Sequence, residues 1–171
     1  FGPPFQHQPL IQPIRFPDGA PVSSPPLIDI HGSSGKMAVC VDRLWLIDLP
    51  TREATWIDEE KKARLKPAFS HDGKRIAVAE ILGKKESGDE TITTIRIVVY
   101  DLEKGTSKRL TPTGLTLKGL PPVWSSDDRH LTYCCEDGYP VQVDIKTGSV
   151  ESLKKIKGIV DVVTVLGDDI V

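Results

Sequence analysis

Lys66-Pro67-Ala68-Phe69-Ser70-His71-Asp72-Gly73-Lys74-Arg75-Ile76-Ala77-Val78 decides the fold. A short apolar run ends on Phe69, and a polar turn carries the chain from Ser70 to Lys74. Apolar positions then resume in alternation at Ile76 and Val78, the period of a strand with one face buried. Asp72-Gly73 suits a tight hairpin, because glycine takes positive φ without a steric penalty. The segment predicts two short antiparallel strands.

Working outward, the same grammar recurs on both sides. Downstream stands Pro121-Pro122-Val123-Trp124-Ser125-Ser126-Asp127-Asp128-Arg129-His130-Leu131-Thr132-Tyr133. Upstream stands a more degenerate copy, Pro26-Leu27-Ile28-Asp29-Ile30-His31-Gly32-Ser33-Ser34-Gly35-Lys36-Met37-Ala38-Val39. After each copy comes a third strand ending on one aspartate and an aliphatic residue: Leu46-Ile47-Asp48-Leu49, Val99-Tyr100-Asp101-Leu102 and Gln142-Val143-Asp144-Ile145. A fourth strand follows the last two, over Lys108 to Leu110 and Val150 to Leu153. The matching residues Met37, Ile76 and Leu131 are separated by 39 and 55 residues. The longer spacing reflects a polar insertion in the middle unit, Gly83-Lys84-Lys85-Glu86-Ser87-Gly88-Asp89-Glu90. Four short strands every 40 to 50 residues, roughly, is the period of a β-propeller blade. The predicted class is all-β, about three four-stranded antiparallel blades and the start of a fourth. The charged stretch Asp58 to Lys66 has the only helical periodicity and reads as a loop between blades.

The segments around Phe69 and Trp124 resemble the WD-like repeat Trp-Ser-Pro-Asp-Gly-Lys-x-Ile-Ala. That repeat builds TolB-like periplasmic proteins and the amino-terminal propellers of prolyl oligopeptidase-family serine peptidases, among them dipeptidyl peptidase IV and acylaminoacyl peptidase relatives. The resemblance covers residues 27–171, with His71 or Ser126 in place of the proline and no aromatic residue in the first copy. It implies a domain plan of blades at 27–66, 67–120 and 121–160 and a further blade beginning at 161–171. Residues 1–26, rich in proline and glutamine at their start, read as an extended arm or an edge hairpin about Asp18-Gly19. A closed ring needs about four to eight blades, so the expected status of the chain is a piece of a larger protein.

Composition narrows the function classes. The chain has 171 residues, is 39% hydrophobic and 27% charged, and carries a net charge of −2. These are globular values, and no global positive field draws nucleic acid or an anionic membrane. No apolar run approaches the roughly 20 residues of a membrane helix. Cys40, Cys134 and Cys135 form no disulfide framework, since neighbours on a strand point to opposite faces. That usage favours a reducing, cytoplasmic compartment, with the periplasm as the alternative.

Candidate chemistry is sparse. No Gly-x-Ser-x-Gly nucleophile elbow is present, and His31-Gly32-Ser33-Ser34-Gly35 reads as a blade's first hairpin turn. His7, His31, His71 and His130 have no metal-ligand spacing, and His71 and His130 are expected to face solvent on equivalent turns. Asp127-Asp128 and Asp168-Asp169 lack the alternation of a calcium loop and read as turn caps. The recurrent Asp48, Asp101 and Asp144 are expected to accept backbone amides in the turn after the third strand. No phosphate loop precedes a helix, so no catalytic, cofactor or metal residue is assigned. Trp124 is expected between blades. Trp56, and the insertion carrying Lys84, Lys85, Glu86, Asp89 and Glu90, are the candidate partner-binding residues, because propeller function sits on loops. The functional expectation is a non-catalytic module that binds protein or peptide, as the TolB resemblance implies. Its alternative is the substrate-gating propeller of a prolyl oligopeptidase-family peptidase whose hydrolase domain lies outside this chain. Self-association, or further blades, would complete the ring.

Overall fold

A computed structural model describes residues 26–41, 43–58, 60–87, 90–110, 114–116, 121–134, 140–153, 165–166 and 169–170. Three antiparallel sheets are built on four strands each in sequence order and do not close on one another. The first holds β1 (Leu27–His31), β2 (Lys36–Cys40), β3 (Leu44–Asp48) and β4 (Glu53–Asp58). The second holds β5 (Ala68–Phe69), β6 (Arg75–Ser87), β7 (Glu90–Asp101) and β8 (Thr106–Arg109). A fifth strand, β9 (Gly114–Thr116), pairs with the far half of β7. The third holds β10 (Val123–Trp124), β11 (His130–Cys134), β12 (Pro140–Asp144) and β13 (Val150–Ser152). The short strands β14 (Val165–Leu166) and β15 (Asp169–Ile170) pair antiparallel near the end of the chain.

Strand alternation sets how the sheets pack. In β6, Ile76 and Val78 join the cluster shared with Ala38, Cys40 and Leu44 of the first sheet. The intervening Ala77 and Ala79 join Leu131, Tyr133 and Trp124 of the third. In β2, Met37 and Val39 turn to the opposite side from Ala38 and Cys40. Second strands therefore show large residues to the preceding sheet and small ones to the following sheet. Knobs of Ile, Leu, Val and Tyr enter a surface lowered by alanine, which lets neighbouring sheets interdigitate without voids. Each fully buried Ile or Leu at these seams contributes roughly 1.5 to 3 kcal/mol.

The insertion at 83–90 lengthens the hairpin: β6 and β7 carry the ladder out to Ser87 opposite Glu90, with an irregularity between Ile81 and Gly83. The stretch leading from the second sheet to the third contains β9. The charged stretch after Asp58 is a link between the first two sheets, as expected, with no helix among its described residues; the Leu65 amide donates to Ala79 O and the Ile81 amide donates to Ala63 O. That segment lies along the edge of β6 above the short β5, satisfying backbone groups that would otherwise stand open.

Candidate functional site

Two groups of residues hold the sheets in register, and a groove lies between the first two sheets. The first group sits on the hairpin turns. Asp29 Oδ2 accepts the Phe69 amide at 2.8 Å, so the first sheet caps the first strand of the second. His31 Nε2 lies 2.9 Å from the His71 carbonyl oxygen and its Nδ1 lies 2.8 Å from Ser34 Oγ. From the third sheet, Asp128 Oδ1 accepts the His71 amide at 2.7 Å and Oδ2 accepts the Asp72 amide at 2.8 Å. His71 Nδ1 stands 2.8 Å from the same carboxylate. The side chain of His71 is 59% exposed, so it faces solvent as expected while being anchored from behind; that of His130 is 30% exposed. Asp127 caps its own turn, accepting the Ser125 hydroxyl and the Arg129 amide. Asp128 does not, and so corrects the reading of both as local caps.

Trp124 fills the seam between the second and third sheets. It is buried, its Nε1 donates to Ala68 O at 3.0 Å, and the Arg75 guanidinium lies over its ring. The aspartates closing the third strands behave alike. Asp48 Oδ1 accepts the Thr51 amide, Asp101 Oδ1 the amides of Glu103 and Lys104, and Asp144 Oδ1 the Thr147 amide. The Thr51 amide holds Asp48 below the usual carboxylate range, the Lys104 side chain does so for Asp101, and the Thr147 amide does so for Asp144.

The second group is an ionic network where the first sheet hands over to the second. Arg64 Nη2 donates to Asp58 Oδ2 at 2.6 Å, and the Tyr100 hydroxyl donates to the same oxygen at 2.7 Å. Glu80, with only 3% of its side chain exposed, accepts from Lys62 at 3.2 Å and from Arg96 at 2.7 Å. Burial opposes the charged form of both acids. The Tyr100 hydroxyl, the Glu60 amide, Arg64 and Lys62 outweigh it at Asp58, and Arg96 and Lys62 outweigh it at Glu80, so both are held below their ordinary range. Burial raises the Tyr100 phenol, reinforced by its bond to Asp58. Cys40, between the first two sheets, is pushed up to about 12 by burial and is an inert core thiol.

Bordered by this network, a groove of about 380 Å³ opens between β4 and the outer strands of the second sheet. Leu46, Ile57 and Leu102 give it apolar walls, with Tyr100 and Val98 behind and Thr106, Ser107 and Arg109 along its rim.

The predicted site residues are placed as follows. Trp56 is 39% exposed and packs on Trp45, ring centroids 5.4 Å apart, with Arg43 over its ring. Its neighbour Trp45 clusters with Met37, Val39 and Ile47 on the side of the sheet away from the second. Lys84 is exposed on β6, Lys85 and Glu86 lie further along β6, Glu90 opens β7, and Asp89 is outside the described residues. Trp56 and the projecting hairpin thus belong to different sheets. Sequence reasoning assigns no interface role to Asp29, Asp58, Glu80 or Asp128; a charged residue within or beside an apolar strand is the one available signal. No three His, Cys, Asp or Glu side chains converge to hold a metal among the described residues. No helix there is long and apolar enough to cross a membrane.

No protein-family model and no curated protein matches the chain. Solved structures do. Over 72% of its length the chain is similar to TolB from Acinetobacter baumannii, at 21% identity and a TM-score of 0.54. Over 73% it is similar to the tricorn protease, at 20% identity and a TM-score of 0.52. The chain spans 30% of the TolB chain and 13% of the tricorn chain. The fold is a β-propeller, present as an open set of blades.

Proposed function

We propose that the chain is a propeller module that binds a protein or peptide partner, its contact surface centred on the hairpin of β6 and β7. The observation that carries this reading is the length of that hairpin. β6 and β7 run 13 and 12 residues, where β2, β3, β11 and β12 run five each. The extra ladder lies beyond the seams that hold the sheets together, and it carries Leu82, 47% exposed, and the exposed Lys84. A second layer of pairing from β9 stiffens it. Its outer end reaches past the residues that form the seams, and binding residues concentrate on such projecting elements of a rigid scaffold. The domain plan inferred from the repeat supports the same reading, with residues 67–120 as the blade that carries the contact.

The test uses a photo-crosslinking residue at position 84 of the protein in its native source, followed by affinity measurement with the captured partner in purified form. Replacing residues 85–92 with a two-residue Asn-Gly turn between the paired Lys84 and Thr93 is expected to weaken that affinity at least tenfold while leaving the urea midpoint in place. Unchanged affinity, or no captured partner, overturns the proposal.

A further inference from the structure

The groove between β4 and β8 has unspent recognition chemistry, and we infer that it docks an extended segment of a partner polypeptide bearing an aliphatic side chain and, a few residues away, a carboxylate. This goes beyond the hairpin contact proposed above and places a second contact surface on the same module.

Three observations carry the assignment. The first is charge. Of the charged side chains lining the groove, Asp58 is held by Arg64, Lys62 and Tyr100, and Glu80 by Lys62 and Arg96. Glu60 pairs with Lys62 at 2.6 Å and Asp101 with Lys104 at 2.8 Å. Arg109 alone has no side-chain hydrogen bond or ion pair among the described residues, and it is exposed on the groove rim. A guanidinium there offers a planar fork for an incoming carboxylate and repels a cationic one. The second is the wall chemistry: Leu46, Ile57 and Leu102 are only partly buried against the cluster joining the two sheets, and leave room for an aliphatic side chain. The third is the backbone. Among the described residues β4 pairs only with β3, and β8 only with β7, so two strand edges border the groove. An extended segment can lie along such an edge and use its free amides and carbonyls, alternate side chains turning inward. The volume of about 380 Å³ suits a short stretch of peptide.

The probe is a phage-displayed library of random decapeptides selected on the whole chain. Recovered peptides are resynthesised with capped ends and titrated by fluorescence anisotropy. They are expected to share an aliphatic residue and an Asp or Glu. Arg109→Glu is expected to weaken them at least tenfold, and Thr106→Trp, which fills the rim at an exposed position, to do the same. The Asn-Gly truncation of the hairpin is expected to leave them unaffected. Peptides without a carboxylate, or binding indifferent to both substitutions, overturn the inference. If binding is lost only on hairpin truncation, the groove assignment falls and the partner-binding reading stands. If the selection yields nothing the groove assignment also falls, and the crosslink at position 84 decides the broader reading by itself.

Discussion

Asp128 holds the turn of its neighbour: its two carboxylate oxygens accept the amides of His71 and Asp72, at 2.7 and 2.8 Å, across a gap of 57 and 56 residues in sequence. Asp128 itself sits at φ 57, a left-handed conformation that Asp and Asn tolerate better than other side chains. A buried carboxylate spanning two sheets by charge-assisted bonds makes the seam between the second and third blades directional as well as apolar.

Removing that carboxylate should be costly. Asp128→Ala leaves two amides without their acceptor and adds left-handed strain, for a loss of about 3 kcal/mol. Asp128→Asn keeps the backbone preference and one acceptor and should lose about half as much. Urea unfolding midpoints check both, and a shift under about 0.5 kcal/mol in the alanine variant contradicts the role given to Asp128.

Stability should fall with acid through the network of Asp58 and Glu80. Both have folded-state pKa values below their unfolded ones. Their contribution is therefore complete above the ordinary carboxylate range of about 4 and is lost as pH falls through the lower folded values. Glu80→Gln leaves Arg96 and Lys62 without a counter-charge, so it should cost about 3 kcal/mol at pH 7 and flatten the slope below about pH 5. Unfolding curves collected from pH 7 to pH 3 read both effects.

Two glycines with the same φ separate strain from crowding. Gly73 (φ 68) and Gly105 (φ 62) both occupy the left-handed region, yet a Cβ on Gly73 runs into the His31 ring while one on Gly105 meets nothing within 4 Å. Gly105→Ala should cost about 1 kcal/mol, and Gly73→Ala clearly more, about 2 kcal/mol or above. Equal thermal shifts would place His31 away from the Asp72-Gly73 turn.

Much of the blade was legible because its information is local. Phe69 and Trp124 before their turns, the alternation from Ile76 to Val78, and the aspartates at 48, 101 and 144 act within a few residues, where period and turn chemistry speak directly. Hidden from the sequence were contacts closed over distance. Asp29 reaches Phe69 over 40 residues and Tyr100 reaches Asp58 over 42, so neither acid differs on the page from a solvated charge. Lys62 and Arg64 looked like a solvated linker for the same reason. β9 was missed because Gly114-Leu115-Thr116 is too short to show a period, and its strand character comes from the outer half of β7. The groove rim at Arg109 was equally silent, since what distinguishes that cation is that no described side chain pairs with it.

The most direct test of three blades standing side by side is amide hydrogen exchange at His71 and Asp72. Both amides lie on a hairpin turn and would exchange rapidly in an isolated sheet. The account predicts protection close to that of the β6 core, abolished in Asp128→Ala while the β6 amides stay slow. Rapid exchange at both positions in the unaltered chain would contradict it, by showing that the third sheet does not hold the second.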